Sequence, residues 1–154
     1  MRIAVRVLLV VALLAMVSLG ASAAPKTQKV TLTLTEFKFS PKNVTLQAGV
    51  PVELTLVNKG TVEHEFLLYA VPKGKVEDMD AFALSTTYFK DTGEIVAEFP
   101  GVGMAAAPVL FETEVVKGKS VTLKFTPAKK GTFEYGCHVE GHYDGGMKGT
   151  LIVK

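Results

Sequence analysis

The chain has 154 residues, with 17 lysines and arginines against 15 acidic residues and a formal net charge of +2. A balance this close to neutral offers no cationic excess to neutralise phosphates, which excludes nucleic acid as a partner on electrostatic grounds. A single cysteine, Cys137, excludes an intramolecular disulfide, so its thiol is free, intermolecular or metal-bound.

In chain order, Arg2 and Arg6 precede an apolar run over residues 7–19 that ends in Ala21-Ser22-Ala23. Basic flank, apolar stretch and small-residue exit are the marks of a signal peptide, and the run is shorter than the ~20 residues a membrane-spanning helix needs. The expected division is a signal peptide over 1–23 and one domain over 24–154, exported to the periplasm or the cell exterior. Membrane association enters only if the N-terminal segment is retained. Cleavage would remove both arginines and leave 15 lysines against 15 acidic residues, a formal charge of zero.

The rest of the chain alternates apolar and polar residues at period 2 in short stretches parted by turn residues, which predicts an all-β sandwich. Val30, Leu32 and Leu34 form one such face, and Val44 and Leu46 lead into an Ala48-Gly49 turn. Val52, Leu54 and Leu56 form the next face, before Asn58-Lys59-Gly60. His64, Phe66 and Leu68 share a face of the following strand. Residues 72–110 interrupt the rhythm. Val76, Met79, Phe82 and Ala83 stand at helical spacing and predict a short amphipathic helix around 76–89. Residues 95–99 follow as a short strand, and residues 101–108 are apolar with neither period. Val121, Leu123 and Phe125, then Phe133, Tyr135 and Cys137, then residues 150–154 complete the strands.

Cys137 opens Cys137-His138-Val139-Glu140-Gly141-His142-Tyr143-Asp144-Gly145-Gly146-Met147. A thiolate, an imidazole and a thioether make up the donor alphabet of a copper site, in which two imidazoles and one thiolate form a trigonal set with a weak axial Met. Strand parity sorts the histidines, because residues i and i+2 face one way and i+1 the other. Cys137 faces inward with Phe133 and Tyr135, so His138 points outward and is read as a non-ligand. His64 looks into the same core with Phe66 and is the candidate for the missing imidazole, against the alternative of a hydrogen-bonded core histidine. His142 and Met147 lie on a glycine-rich loop with little apolar content of its own, whose order a bound metal would explain.

Ser40-Pro41-Lys42-Asn43-Val44-Thr45-Leu46, Val57-Asn58-Lys59-Gly60, His64-Glu65-Phe66, Gly131-Thr132-Phe133-Glu134-Tyr135-Gly136-Cys137 and Gly141-His142 through Gly146-Met147-Lys148-Gly149 together resemble the small blue copper proteins of the plastocyanin/azurin superfamily, the cupredoxins. The resemblance covers roughly residues 28–71 and 111–154, and the Cys-x4-His-x4-Met spacing is nearest to rusticyanin-like and auracyanin-like members. It implies a Greek-key β-sandwich with a helix/loop insertion around 72–110. It also implies one type 1 copper ion held equatorially by His64, Cys137 and His142 and axially by Met147. The function implied is one-electron transfer between redox partner proteins, with no enzymatic activity. Copper delivery or resistance without electron transfer is the alternative, and a metal-free interaction module is the third reading.

The chain departs from the family pattern at three places. Glu65 follows the first histidine where relatives carry Asn, Ser or Asp, so its side chain cannot donate a hydrogen bond to the ligand loop, although its N–H can reach the thiolate. The loop lacks a proline, and His138 stands beside Cys137 as an extra imidazole. In the family the second ligand histidine lies edge-on in an apolar surface patch. The unexplained apolar residues 101–108, with Met104, are expected to pack beside His142 and form part of such a patch.

Overall fold

The computed structural model describes residues 26–154 apart from residue 71. The expected signal peptide over 1–23 lies outside the described residues, among which no helix is long and apolar enough to cross a membrane. Among the described residues eleven strands run in chain order: β1 Gln28–Thr35, β2 Lys38–Ser40, β3 Asn43–Leu46, β4 Val52–Asn58, β5 His64–Leu67, β6 Ile95–Phe99, β7 Gly103–Ala107, β8 Glu112–Val115, β9 Ser120–Phe125, β10 Gly131–Gly136 and β11 Lys148–Val153. They form two mixed sheets, of order β2-β1-β4-β9-β6-β7 and β3-β11-β10-β5-β8. The fold is the all-β sandwich that the period-2 pattern predicts.

The pattern decides which side chains fill the space between the sheets. In β4, β9 and β11 buried residues alternate strictly with half-exposed ones. Leu32, Leu34, Leu54, Leu56 and Leu123 of the larger sheet meet Val44, Phe66, Tyr135, Leu151 and Val153 of the smaller one in a single core. Each such burial is worth about 1.5–3 kcal/mol, and a one-residue slip would turn a whole strand's set outward, so the register is strongly specified.

The predicted helix exists but is shorter than its sequence spacing suggests. Helix α1 runs Met79–Thr86, with the Asp78 carboxylate accepting from Ala81 N at 2.9 Å as N-cap, and it buries only Ala83. Val76 precedes it and Met79 is exposed. The segment is anchored instead by a 3-10 turn, Tyr88–Asp91, whose Tyr88 and Phe89 are buried.

Residues 101–108 do not pack beside His142. Gly101, at φ 78°, turns the chain so that Val102 N donates to Phe99 O, and β7 returns along β6 as a hairpin. In the larger sheet β7 is one edge strand and β2 is the other. Four inter-strand steps, roughly 19 Å of sheet width, separate β7 from β1, whose turn into β2 carries the aromatic ring that meets His142. Met104 is 72% exposed on that far edge. The turn glycines made this stretch a hairpin, and an Ala-rich edge strand leaves no sequence period to read.

Candidate metal centre

Strands β5 and β10 share a single residue pair, Gly136↔Leu67. One residue beyond it the ladder would continue through Cys137, but the strands part there and side chains satisfy the freed backbone donors. Glu65 N donates to Cys137 Sγ at 3.3 Å, and His138 N donates to the Glu65 carboxylate at 3.2 Å. The Glu65 side chain, which cannot donate, therefore pins the ligand loop by accepting a hydrogen bond instead. Burial and then the like charges of Glu114 and Glu63 push its carboxyl above the usual range, against the pull of the His138 N–H.

The parted strands open a gap into which three side chains project. His64, at the start of β5, and Cys137 are fully buried, and His142 is 7% exposed. Their ligand atoms all lie within 4.8 Å of one another, and Cys137 Sγ stands 3.5 Å from His142 Nδ1. A first-row metal ion with bonds of about 2.0–2.3 Å sets its ligand atoms roughly 3.5–4 Å apart, so the cluster has the right size. Neither ring nitrogen of buried His64 has a hydrogen-bond partner, a costly state for a polar group that a metal bond would relieve.

The loop from Cys137 to Met147 holds itself together without a proline. His142 N donates to Val139 O, Gly145 N to Gly141 O, Gly146 N to Tyr143 O and Met147 N to His142 O, all between 2.9 and 3.0 Å. Cys137 N closes the loop on Met147 O at 3.1 Å, and the Met147 side chain is fully buried. Gly141 and Gly146, at φ 75° and 99°, supply the left-handed turns that L side chains resist. These backbone bonds fix the positions of Cys137, His142 and Met147 relative to one another.

His138 stands apart from the cluster and is exposed. Its Nδ1 meets Tyr69 Oη at 3.0 Å, and its ring packs edge-on against Tyr143 with centroids 5.2 Å apart.

Burial holds the Cys137 thiol above its ordinary pKa, opposed by the N–H groups of Glu65 and Val139. Burial, and then neighbouring His142, holds His64 below its own, opposed by Glu36. Burial in the gap thus disfavours the charged forms of Cys137 and His64. A cation bound by the thiolate would offset that penalty and release a proton on binding.

Sequence reasoning passed over four residues around the cluster. Phe37 holds φ at 61°, unusual for a bulky residue, and is 51% exposed. Its ring meets His142 edge-on, with centroids 5.3 Å apart, and covers Gly145 so closely that a Cβ there would collide with it. Asn58, buried, donates to Val62 O and Val115 O and accepts from Gly60 N, shaping the connection into His64. Gly60 and Glu36 lie against the His64 ring. Of these, Asn58 and Gly60 stand in a quoted motif, whereas Glu36 and Phe37 carry no sequence signal.

A family model described as a cupredoxin-like domain matches residues 6–82, half of the chain, a span that includes His64 and stops short of the Cys137 loop. The copper-resistant cuproprotein CopI of Rubrivivax gelatinosus is 26% identical over 134 residues, which cover 87% of this chain and 70% of that protein. CopI of Pseudomonas aeruginosa is 27% identical over 149 residues, covering 87% and 80%. Among solved structures, auracyanin A, a "blue" copper protein of Chloroflexus aurantiacus, superposes with a TM-score of 0.54 at 21% identity, over 84% of this chain and all of that one. At that identity the likeness is one of fold.

Proposed function

From the premise that this chain belongs to the cupredoxin-like family, we propose that it binds one copper ion through His64, Cys137 and His142, with Met147 as a weak axial ligand. Its role on this reading is to carry single electrons between redox partner proteins outside the cytoplasm. The observation that carries the reading is the buried trio of imidazole, thiol and imidazole within 4.8 Å, with both His64 nitrogens unpartnered. The match to a donor set of two histidines and one cysteine with a buried Met favours copper over zinc.

Copper would supply the Cu(II)/Cu(I) couple, and the chain's contribution is to hold the donors still and exclude water. The Glu65 N–H at Cys137 Sγ stabilises negative charge on sulfur, and the apolar neighbours of the gap keep the dielectric low. The loop's own hydrogen bonds fix Cys137, His142 and Met147 relative to one another, which would limit rearrangement on a change of charge. His142, behind Phe37, is the donor nearest the surface and the proposed exit for an electron.

Copper titration followed by optical spectroscopy tests the reading. The expected result is one copper per chain and an intense thiolate-to-copper band, lost in Cys137→Ala and nearly unchanged in His138→Ala. A colourless complex, or a band that survives in Cys137→Ala, would sink the proposal. Copper resistance through Cu(I) binding is the second reading, favoured by the printed name of the two CopI relatives. It predicts a colourless Cu(I) form that surrenders its metal quickly to a chelator, whereas the electron carrier holds the metal through repeated oxidation and reduction.

A further inference from the structure

A ligand histidine with one nitrogen on a metal carries its proton on the other, and that proton needs an acceptor. At His64 the ring is fully buried and Nε2 has no hydrogen-bond partner, yet one carboxylate is aimed at it. Glu36 Oε1 lies 3.9 Å from His64 Nε2, an electrostatic contact at that length. The carboxylate does not float. Thr61 donates to the same oxygen twice, through its backbone N and through Oγ1, the latter at 2.9 Å.

The approach exists only because residue 60 is glycine. A Cβ there would stand 2.5 Å from His64 Nε2, 2.7 Å from Glu36 Oε1 and 3.2 Å from Asn58 Oδ1. These three polar atoms surround a space that any larger residue would fill. Asn58 in turn holds Gly60 by accepting its N–H at 2.8 Å. The turn after β1 and the connection before β5 are thus built to bring a negative charge to the outer nitrogen of the innermost imidazole.

We propose that Glu36 is the positioning residue of the metal centre: it holds the His64 proton on Nε2, leaves the Nδ1 lone pair free for the metal, and lowers the reduction potential by stabilising the more positive metal state. This rests on the reading of His64 as a metal ligand. A unit charge roughly 8 Å from the ion shifts its one-electron equilibrium about two- to thirtyfold over effective dielectric constants of about 80 to 20.

The test has two arms. In metal-free protein, nitrogen NMR of the His64 ring reads the tautomer directly, with no copper required. Wild type is expected in the Nε2–H form, and Glu36→Gln, which keeps an acceptor for Thr61 but loses the charge, is expected to lose that preference. In copper-loaded protein the same variant should raise the potential, increasing the Cu(I) to Cu(II) ratio at fixed poise by about two- to thirtyfold. Glu53→Gln, a carboxylate paired with Lys29 at the opposite end of β4, is the control and should change neither quantity. An unchanged tautomer in Glu36→Gln, or an equal shift in Glu53→Gln, would overturn the proposal. If the protein takes up no copper, the metal-centre reading fails by itself and the tautomer arm still decides whether Glu36 orients His64. Gly60→Ala should mimic Glu36→Gln in both arms, and should it not fold, the Glu36 variant carries the test alone.

Discussion

Removing the Asn58 side chain should destabilise the whole sandwich, because that side chain joins its two sheets. Asn58 ends β4 in the larger sheet and is 1% exposed. Its Nδ2 donates to Val115 O of β8 in the smaller sheet at 2.7 Å and to Val62 O at 2.8 Å, and its Oδ1 accepts from Gly60 N at 2.8 Å. The amide orientation follows from the partners, since two carbonyls need donors and one N–H needs an acceptor. Three hydrogen bonds at about 0.5–1.5 kcal/mol each, with buried partners left unsatisfied, put Asn58→Ala toward the upper end of a loss of about 2–5 kcal/mol. In a domain of this size a loss near 4 kcal/mol lowers Tm by roughly 10–15 °C. Urea unfolding of the metal-free protein, followed by far-ultraviolet circular dichroism, measures it without any contribution from copper. Asn58→Asp sharpens the test, since it keeps the Gly60 acceptor but sets a carboxylate oxygen against two carbonyls. It should be at least as unstable as Asn58→Ala at neutral pH and recover partly on acidification, when protonation restores one donor. A loss under about 1 kcal/mol for Asn58→Ala at unchanged m would refute the idea that this side chain ties the sheets together.

Met147→Leu should fold and keep copper, because the swap nearly conserves volume at a fully buried position and costs under about 1.5 kcal/mol. Its potential should rise, and loss of the metal would instead identify Met147 as a principal ligand. Gly149→Ala should lose several kcal/mol, as its Cβ would drive into Lys42 O and the Tyr135 ring, moving a backbone carbonyl that also accepts from Thr150 N and Tyr135 Oη. Wild-type stability there would show that β11 shifts freely. Burial raises all four tyrosines, with Tyr88 and Tyr143 pushed up to about 12. The native state therefore holds phenolic protons that the unfolded chain releases near pH 10, so this stabilisation is full below about pH 10 and is lost as pH rises through about 12. A tyrosinate absorbance titration should find Tyr88 and Tyr143 still largely protonated in the native state at pH 11. Substantial ionisation at pH 10 in a still-folded protein would contradict it.

The period-2 alternation of β4, β9 and β11 was legible in the sequence because side-chain direction in a strand depends only on residue parity, a local property of the backbone. The same parity separated His138 from Cys137 and set His64 looking inward with Phe66, so the candidate donors could be named before any fold was known. The partners of those donors could not. Glu36 meets His64, and Glu65 accepts from His138 N, only because strands distant in sequence are brought side by side and then part at Cys137. Asn58 reaches Val115 for the same reason, across the two sheets. Residues 101–108 misled because an apolar stretch says that surface is available for burial but not against what. Turn glycines folded it back along β6, and the sheet order then left it at the edge away from His142. Strand parity is set between neighbouring peptides, whereas sheet order and close approach are set by which long-range pairings give the lowest free energy for the entire chain, and those pairings alone determined what surrounds the candidate metal centre.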